Sequence, residues 1–314
     1  MPELPEVETT TQGLKKTVVG LVIKDVWTDL STKDKRQSNA IANPKYFKTF
    51  RKEILNKKVL SVERRAKNIL INLNNQKTIL VHMKMTGHLL YGKYSKLKVK
   101  SYKVEGKLKK TWIPTEPGPL HDPYNRFVHV VFTFNNNEHL AFSDARKFGK
   151  ITLLNTKTAH ETRHLNNIGP EPLDKRFTLE KLKASFAKAS ADRRIKIVLM
   201  DQSIIAGIGN IYSDEILWRA GVHPERKVST LKEKEIALIF KAIKETLAKG
   251  IDFGGDSMSD YRNIYGLRGE FQSHHEAYRR TGEKCRKIKC KGIIQRKMVN
   301  GRSAHFCSVH QKLF

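Results

Sequence analysis

Two apolar segments with helical periodicity are joined by the stretch Asp201-Gln202-Ser203-Ile204-Ile205-Ala206-Gly207-Ile208-Gly209-Asn210-Ile211-Tyr212. The Gly-x-Gly turn interrupts the pattern, and Asn210 falls at the N-cap of the second segment. Free N–H groups at a helix N-terminus bind phosphate, so this unit suits a helix–turn–helix that holds a DNA backbone. An ordinary helical hairpin is the other structure that the same pattern allows.

The apolar periodicity differs on the two sides of this stretch. On its N-terminal side a helix is predicted over residues 2–19, and short strand-like runs then continue to about Leu154, which is typical of an antiparallel sandwich or barrel. Residues 93–126 are predicted to form a long surface loop, and residues 155–172 an interdomain connection. The predicted strands are 59–64, 68–73, 78–82, 127–134, 139–142 and 150–153, and the predicted helices are 178–189, 195–201, 210–220 and 231–249.

Charge is the strongest compositional signal. The chain has 60 Lys and Arg residues against 31 Asp and Glu, a formal net charge of +29. A surface of this sign binds polyanions through counterion release, which favours nucleic acid over membrane lipid or mere solubility. The longest apolar runs, residues 69–73 and 195–200, are too short to span a bilayer, and the start has no signal region. We therefore expect a soluble, cytoplasmic protein.

The three cysteines lie in the last 30 residues, in the pattern Cys285-x4-Cys290-x16-Cys307-x2-His310. Two close pairs around an insert the size of a β-hairpin can close a tetrahedral zinc site, which would supply the folding energy of so small a module. Three buried thiols with an incidental histidine are the alternative, and His305 competes with His310 as the fourth ligand. On the insert, Arg296 and Arg302 could meet phosphates.

The chain begins Met1-Pro2-Glu3-Leu4-Pro5-Glu6. If Met1 is removed, Pro2 presents a secondary amine that is partly unprotonated at neutral pH and can form an iminium with an aldehyde-level carbon. Glu3 stands beside it as a proton shuttle, and Glu6 is a second carboxylate within the same turn. Taken alone, these six residues are more typical of a chain end with a rigid turn.

Six motifs occur in one order: residues 2–6, Arg64-Arg65-Ala66-Lys67, Met85-Thr86-Gly87, Asp144-Ala145-Arg146-Lys147-Phe148-Gly149, residues 201–212 and the cysteine-bearing tail. Together they resemble the formamidopyrimidine-DNA glycosylase family, bacterial enzymes that excise oxidised purines, and the resemblance covers nearly the whole chain. It implies an α+β multidomain fold with DNA bound between two lobes. The domains would be an N-terminal antiparallel β-sandwich (1–155), a helix–two-turns–helix domain (173–275) and a zinc-finger hairpin (276–314).

The resemblance also implies roles for individual residues. Pro2 would attack C1′ of the damaged nucleotide, and the other catalytic positions would be Glu3, Glu6, Lys67 and Arg302. Because chemistry on a base requires its eversion from the duplex, Met85, Arg146 and Phe148 would fill the gap. The other implied DNA contacts are His82, His129, Lys147, Lys196, Asn210, Tyr278 and Arg296. Core packing is the alternative for Met85 and Phe148, a surface charge for Arg146, and a satisfied strand histidine for His129.

We therefore predict a monomeric glycosylase and abasic-site lyase that acts on damaged double-stranded DNA and holds one structural zinc ion. Leu4 and the full-length segment 254–272 favour oxidised purines, whereas an endonuclease VIII-like enzyme for oxidised pyrimidines and a non-catalytic DNA-binding homologue are the alternatives. The chain departs from the family pattern in its four-residue Cys285–Cys290 spacing, in His310 as fourth ligand, in Lys147 for arginine and in a longer 93–126 segment.

Overall fold

The structure, a computed structural model, describes residues 1–32, 40–100 and 108–313. In chain order the strands are β1 (Ile23–Thr28), β2 (Val59–Arg65), β3 (Asn68–Leu73), β4 (Lys77–His82), β5 (His88–Gly92), β6 (Tyr94–Lys100), β7 (Leu108–Pro114), β8 (Val128–Phe134), β9 (His139–Ser143), β10 (Lys150–Asn155), β11 (Ile294–Val299) and β12 (Arg302–Cys307). The helices are α1 (Leu4–Thr17), α2 (Pro44–Ile54), α3 (Leu179–Ala187), α4 (Ile195–Met200), α5 (Asn210–Ala220) and α6 (Glu233–Asp252). The predicted α+β fold class is confirmed.

Two four-stranded antiparallel sheets form the N-terminal sandwich, in the orders β1-β8-β9-β5 and β10-β4-β3-β2. Apolar side chains from both sheets meet in one core, where the rings of Phe50 and Phe132 lie 6.3 Å apart. All six predicted strands are present, within one residue at most ends. The alternation of apolar and polar residues in these strands can be recognised in the sequence because one face of each sheet is buried in this core.

Helix α2 was not predicted, because the apolar pattern from residue 20 to about Leu154 is mostly strand-like. Its start carries a recognisable signal: the Asn43 side chain accepts hydrogen bonds from the backbone N–H groups of Lys45 (3.0 Å) and Tyr46 (3.1 Å), and Pro44 opens the helix. Phe50 and Ile54 bury its apolar face.

The prediction of a surface loop over residues 93–126 is wrong for residues 94–100 and 108–114, whereas residues 115–126 form bends and short 3-10 turns. Strands β6 and β7 pair in an antiparallel ladder from Tyr94↔Pro114 to Lys100↔Leu108. The Trp112 ring lies 6.2 Å from that of Trp27 and 5.0 Å from that of His139, so the hairpin packs on the outer face of the first sheet. Frequent lysines obscured this alternation in the sequence. Residues 101–107 lie outside the described residues.

The helical domain has a second core, built from α3 to α6. Leu4 at the start of α1 belongs to this core, and its backbone N–H donates to Gly207 O at 3.0 Å. Gly207 has φ +86°, and a Cβ there would stand 2.6 Å from the Leu4 side chain, so only glycine fits this turn. The N-cap of α5 is Gly209 rather than the predicted Asn210, which is the first helical residue.

The chain then returns to the sandwich before it forms the C-terminal hairpin. In this returning segment, Ile264 is buried in the sandwich core and its carbonyl accepts the Tyr91 N–H at 2.6 Å. Strands β11 and β12 pair in register from Ile294↔Cys307 to Val299↔Arg302. Within the described ranges, no helix has the length and apolar character needed to cross a membrane.

Candidate active site and nucleic-acid interface

The carboxylate of Glu3 is held at the N-terminus of α5. Its Oε2 accepts the N–H groups of Gly209 (2.6 Å) and Tyr212 (3.3 Å), and its Oε1 accepts that of Ile211 (2.9 Å). The positive end of a helix favours an anion at this place. A Cβ on Gly209 would lie 2.6 Å from Glu3 Oε1, so glycine admits the carboxylate.

This geometry corrects one inference from the sequence. The free N–H groups at this helix start were expected to bind phosphate, but the protein's own Glu3 occupies them. The Gly-x-Gly turn therefore anchors the N-terminal segment of the chain to the helical domain. It places residue 3, and with it Pro2, at the junction of the two domains.

Glu6 lies next to Glu3 and is completely enclosed. It accepts hydrogen bonds from the Glu3 N–H (2.7 Å), the Tyr212 hydroxyl (2.8 Å) and the Asp256 N–H (2.7 Å). Burial, and then the negative charge of Glu3, raise the pKa of Glu6 to about 7. Glu6 can therefore exchange a proton near neutral pH, while it also joins α1, α5 and the segment after α6.

Lys67 lies on the turn between β2 and β3, where Ala66 has φ +52°. The Lys67 side chain is buried, and its Nζ donates to Ile208 O at 2.9 Å, in the same turn that leads to Glu3. Burial lowers the pKa of Lys67, the charges of Glu3 and Glu6 oppose this change, and Arg302 adds to it. Glu3, Glu6 and Arg302 thus all act electrostatically on Lys67.

Glu171, which is not among the predicted site residues, fixes the Lys67 turn. Its Oε1 accepts from the Ala66 N–H (2.6 Å) and from the Arg65 guanidinium (3.0 Å), and its Oε2 lies 2.6 Å from the Arg64 guanidinium. The Gly-Pro-Glu-Pro sequence was interpreted only as a connection. Two adjacent arginines in the Lys67 motif were the available signal that an acid faces them.

Pro2 is buried beside these groups, and Met1, which is bonded to its nitrogen, is partly exposed. While Met1 is attached, the Pro2 nitrogen is part of an amide and its lone pair is delocalised. Removal of Met1 converts this nitrogen into a secondary amine adjacent to Glu3.

The predicted gap-filling residues stand on two neighbouring loops at one end of the sandwich. Met85 is 39% exposed and Phe148 is 50% exposed, which excludes core packing for both side chains. The Asp144 carboxylate binds the Thr86 hydroxyl and accepts the N–H groups of Arg146 (3.2 Å) and Gly149 (2.7 Å). One buried acid therefore ties the two loops together.

Arg146 is exposed, and its guanidinium carbon lies 4.7 Å from the centre of the Phe148 ring. A cation over an aromatic face is a mutually favourable arrangement. Lys147 is exposed on the same loop with φ +57°. The loops thus present two apolar side chains and two cations to solvent.

The predicted phosphate contacts differ in how far the protein encloses them. Burial, followed by the charges of Lys84, Lys67 and Lys150, lowers the pKa of His82 to about 3, so this imidazole is neutral at physiological pH. Its Nδ1 accepts the Lys84 N–H at 3.0 Å, which leaves Nε2 as the donor. Asn210 and Tyr278 are half-buried, whereas Arg296 and Arg302 are exposed on the C-terminal hairpin.

Two of the predicted DNA contacts require correction. His129 is buried, and its Nδ1 lies 2.7 Å from Asp29 Oδ1, which matches the alternative of a satisfied strand histidine. Lys196 is buried completely and pairs with Asp214, so neither side chain can reach a phosphate in this conformation. The sequence concealed this because a lysine within an apolar helix resembles a surface lysine.

The ligand atoms of Cys285, Cys290, Cys307 and His310 all lie within 4.8 Å of one another. The other candidate, His305, instead pairs with Asp214 at 2.8 Å, so His310 is the histidine of this group. Its Nε2 is 3.0 Å from Trp218 O and donates to it, which leaves Nδ1 directed at the thiols.

The sulfur atoms receive backbone N–H groups as thiolate ligands commonly do. Sγ of Cys285 accepts from Lys287 N (3.5 Å), and Sγ of Cys290 accepts from Gly292 N (3.4 Å). Lys289, with φ +61°, accommodates the longer spacing between these cysteines. A Cys3His donor set of this kind fits a tetrahedral metal ion such as zinc.

Comparison with known proteins agrees with this geometry. The sequence model of the formamidopyrimidine-DNA glycosylase N-terminal domain matches residues 1–151, and that of the formamidopyrimidine-DNA glycosylase H2TH domain matches residues 168–262. The formamidopyrimidine-DNA glycosylase of Pelotomaculum thermopropionicum is 37% identical over 100% of both chains. That of Herpetosiphon aurantiacus is 36% identical over 99% of this chain and 100% of its own.

Similar solved structures include wild-type Lactococcus lactis Fpg (MutM) in complex with DNA that contains N7-benzyl-Fapy-dG. That structure has a TM-score of 0.78 at 30% identity and covers 99% of this chain and 100% of its own. The Lactococcus lactis Fpg complex with abasic-site DNA gives 0.78 at 29% identity, with 99% coverage of each chain. The chain therefore belongs to the formamidopyrimidine-DNA glycosylase family.

Proposed function

We propose that this chain is a DNA glycosylase and abasic-site lyase that removes oxidised purines, such as 8-oxoguanine and formamidopyrimidines, from double-stranded DNA. The observation that carries the proposal is the placement of the Pro2–Glu3 segment: α5 holds the Glu3 carboxylate, and Lys67 binds the adjacent turn. The relatives' names and the DNA complexes of the similar structures support the same reaction class. In this proposal the protein acts as a cytoplasmic monomer.

The reaction begins after removal of Met1. The Pro2 nitrogen attacks C1′ of the damaged nucleotide, so that an N–C1′ bond forms and the glycosidic bond breaks with its electron pair leaving on the base. The base is released as it takes up a proton. Ring opening of the sugar then gives an iminium between Pro2 and C1′.

Glu3 and Lys67 handle the protons in this step. Glu3 lies next in the chain to the nucleophile and is held by three N–H groups, so its carboxyl group is placed to take up the proton that the Pro2 nitrogen loses and to pass it to the sugar oxygen. The lowered pKa of Lys67 increases its neutral fraction, which can exchange a proton with the sugar. Glu6, with a pKa near 7, can act as a proton reservoir behind Glu3.

Two eliminations follow from the iminium. Loss of the C2′ proton drives cleavage of the C3′–O bond, and loss of the C4′ proton then drives cleavage of the C5′–O bond, each with phosphate as leaving group. Arg302, which lies within electrostatic range of Lys67, supplies positive charge to the departing phosphate. Water finally hydrolyses the iminium and restores the amine.

The duplex is held open by side chains from the sandwich. Met85 and Phe148 enter the space of the everted nucleotide, while Arg146 offers hydrogen-bond donors to the unpaired base. Cys285, Cys290, Cys307 and His310 would hold one zinc ion, whose contribution is to fold the hairpin that carries Arg296 and Arg302.

Borohydride trapping tests the proposal. Reduction of the iminium should leave the purified protein covalently attached to abasic duplex DNA, because the reduced amine cannot be hydrolysed. Pro2→Gly, which replaces the secondary amine, should lower the yield of trapped complex by a factor of about 10² or more. A wild-type protein with Met1 removed that binds the duplex but gives no trapped complex would identify the chain as a non-catalytic DNA-binding homologue.

Lesion preference is tested separately with matched duplexes that contain 8-oxoguanine or thymine glycol. We expect faster excision of 8-oxoguanine. A marked preference for thymine glycol would instead support the endonuclease VIII-like alternative and leave the amine chemistry in place.

A further inference from the structure

The helical domain encloses an ionic cluster that the proposed reaction does not use. Lys196 of α4 and Asp214 of α5 are 0% exposed, and His305 of β12 is 5% exposed. Lys196 Nζ donates to Asp214 Oδ1 at 2.5 Å, while the backbone N–H (3.0 Å) and Nδ1 (2.8 Å) of His305 donate to Asp214 Oδ2. One carboxylate therefore joins α4, α5 and the C-terminal hairpin.

The cluster connects two parts of the proposed active site. Lys196 Nζ also donates to Asn210 O (3.3 Å) and Ser213 Oγ (3.0 Å), in the first turn of α5, whose N–H groups hold Glu3. On the other side, His305 lies on the same strand as Arg302, three residues further along. Asp214 is thus one link between the Glu3-binding turn and the strand of Arg302, and the hydrogen bond from Asn210 Nδ2 to Ser303 Oγ at 3.4 Å is a second one.

Other contacts hold different parts of the C-terminal module. The Glu215 carboxylate accepts the backbone N–H groups of Glu276, Ala277 and Tyr278 at 2.8–2.9 Å. The Trp218 indole N–H donates to Cys285 Sγ at 3.3 Å. Loss of Asp214 would therefore loosen the strand that carries Arg302, which keeps the hydrogen bond from Asn210 to Ser303, while the base of the module remains attached to α5.

The free-energy cost of burying these charges indicates that the cluster fixes the position of β12 rather than adding to stability. Burying a lysine and an aspartate incurs a desolvation cost that their attraction need not exceed, and apolar replacements of similar volume are often neutral or stabilising. What apolar residues cannot supply is the directed pair of hydrogen bonds to the backbone and ring of His305. These bonds specify the position of β12 along α5.

We propose that Lys196, Asp214 and His305 are positioning residues that hold β12 so that Arg302 stands beside Lys67 for the second elimination. This inference rests on the proposed function. It replaces the DNA contact that the family resemblance implies for Lys196. The second elimination then needs Arg302, whereas formation of the iminium needs only the groups around Pro2.

Product analysis with Asp214→Asn in the full-length, zinc-loaded protein tests the proposal. On abasic duplex DNA, the ratio of second-elimination to first-elimination product should fall by about 10-fold or more, since small misplacements of a reacting group are costly. The rate of borohydride trapping should stay within about 3-fold of wild type, because iminium formation does not need Arg302. Asp192→Asn is the matched control, because Asp192 forms an exposed pair with Lys227 at 2.7 Å in the same domain. An unchanged product ratio in Asp214→Asn would overturn the proposal.

Two further variants separate positioning from folding. The double variant Lys196→Met/Asp214→Leu removes both charges, so it should fold stably but still show the lowered product ratio; recovery of the wild-type ratio would contradict the assignment. His305→Asn keeps a donor near Nδ1 and should retain more second elimination than His305→Phe, which has none. Equal losses of the second-elimination product in these two variants would contradict the positioning role of His305.

The salt dependence of binding distinguishes this role from a phosphate contact. The Lys196→Met/Asp214→Leu variant should bind duplex DNA with the wild-type dependence on salt concentration, because Lys196 neutralises no phosphate. If the slope of log affinity against log salt concentration instead fell by the amount expected for about one phosphate contact, Lys196 would be a DNA contact. A wild-type protein that forms no iminium refutes the proposed function, whereas normal lyase activity with an unaltered Asp214→Asn product ratio refutes this inference alone.

Discussion

The interdomain junction around Glu3 and the loops that carry Met85 and Phe148 differ in how completely their side chains are engaged. At the junction, Glu3, Glu6 and Lys67 are buried and hydrogen-bonded to protein atoms. On the loops, Met85 and Phe148 are exposed, although Asp144 fixes the backbone beneath them. The groups proposed for bond chemistry are preorganised, whereas those proposed to meet the duplex await a partner.

This contrast has a physical reason. A carboxylate or amine that transfers protons needs a fixed position and a tuned pKa, and both require enclosure by protein dipoles. A side chain that enters a base stack gains its contacts only when DNA is bound, so it must remain exposed until then. Substitutions at the junction should therefore change the chemical step, and substitutions on the loops should change substrate binding.

Glu3→Gln should give the largest effect. Loss of the carboxylate should slow base excision under single-turnover conditions by a factor of about 10² to 10⁴, since general acid–base groups contribute on this scale. The melting temperature should also fall, because glutamine keeps one acceptor oxygen at the start of α5 but turns an amide NH2 group toward an N–H group that the carboxylate accepted. Glu63→Gln, at an exposed carboxylate of β2, is the matched control and should behave as wild type.

Gly209→Ala tests the same point without altering a reacting group. The added methyl would meet the Glu3 carboxylate and displace it from α5. Excision should fall by about 10², because a displacement of this size misplaces the proton-transfer group. Normal excision in this variant would show that the position of Glu3 on the helix is unimportant, and the contrast between the two regions would lose its basis.

Glu6→Gln should change the pH dependence of stability. Because the folded-state pKa of Glu6 is about 7 and its ordinary value is 4.5, the folded protein binds the proton more tightly than the unfolded chain. The resulting stabilisation is complete below pH 4.5 and is lost as the pH rises through 7, with a total of about 3 kcal/mol. Urea unfolding between pH 4.5 and 8 should therefore show a flatter profile for Glu6→Gln than for wild type or Glu63→Gln. Parallel profiles would mean that Glu6 is not protonated more readily in the folded state.

Phe148→Ala should have the smallest effect and a different character. Removal of the exposed ring should weaken binding of lesion-containing duplex by about 10-fold, a loss of 1–2 kcal/mol in stacking, while the melting temperature stays unchanged. The difference should vanish on single-stranded abasic DNA, which has no stack to fill. Leu60→Ala, which removes a similarly exposed side chain of β2, should leave binding unaltered. A slower single-turnover rate at saturating DNA would instead place Phe148 in the chemical step.

Local patterns predicted much of the architecture and part of the candidate site. The six sandwich strands and the helices of the second domain follow from periodicities that their cores impose, and the donor set of Cys285, Cys290 and Cys307 follows from spacing. The exposed positions of Met85, Arg146 and Phe148 agree with the roles that the family resemblance implies. Glu171, Asp214 and Glu215 were missed, because a single acid that pairs inside the protein, in a helix or a connection, leaves no periodic pattern in the sequence.

Composition and motif order by themselves determined that this chain is a basic α+β protein with a cysteine-rich end and an N-terminal Pro-Glu pair. They could not determine which charges face inward. Glu3 fills the helix start that seemed free for phosphate, Lys196 and His129 turn into the protein, and His310 rather than His305 joins the thiols. The partners of Glu3 and His129 lie 100 or more residues away in the sequence. Such distant partners, rather than the neighbours in sequence, decide whether a charged side chain is buried.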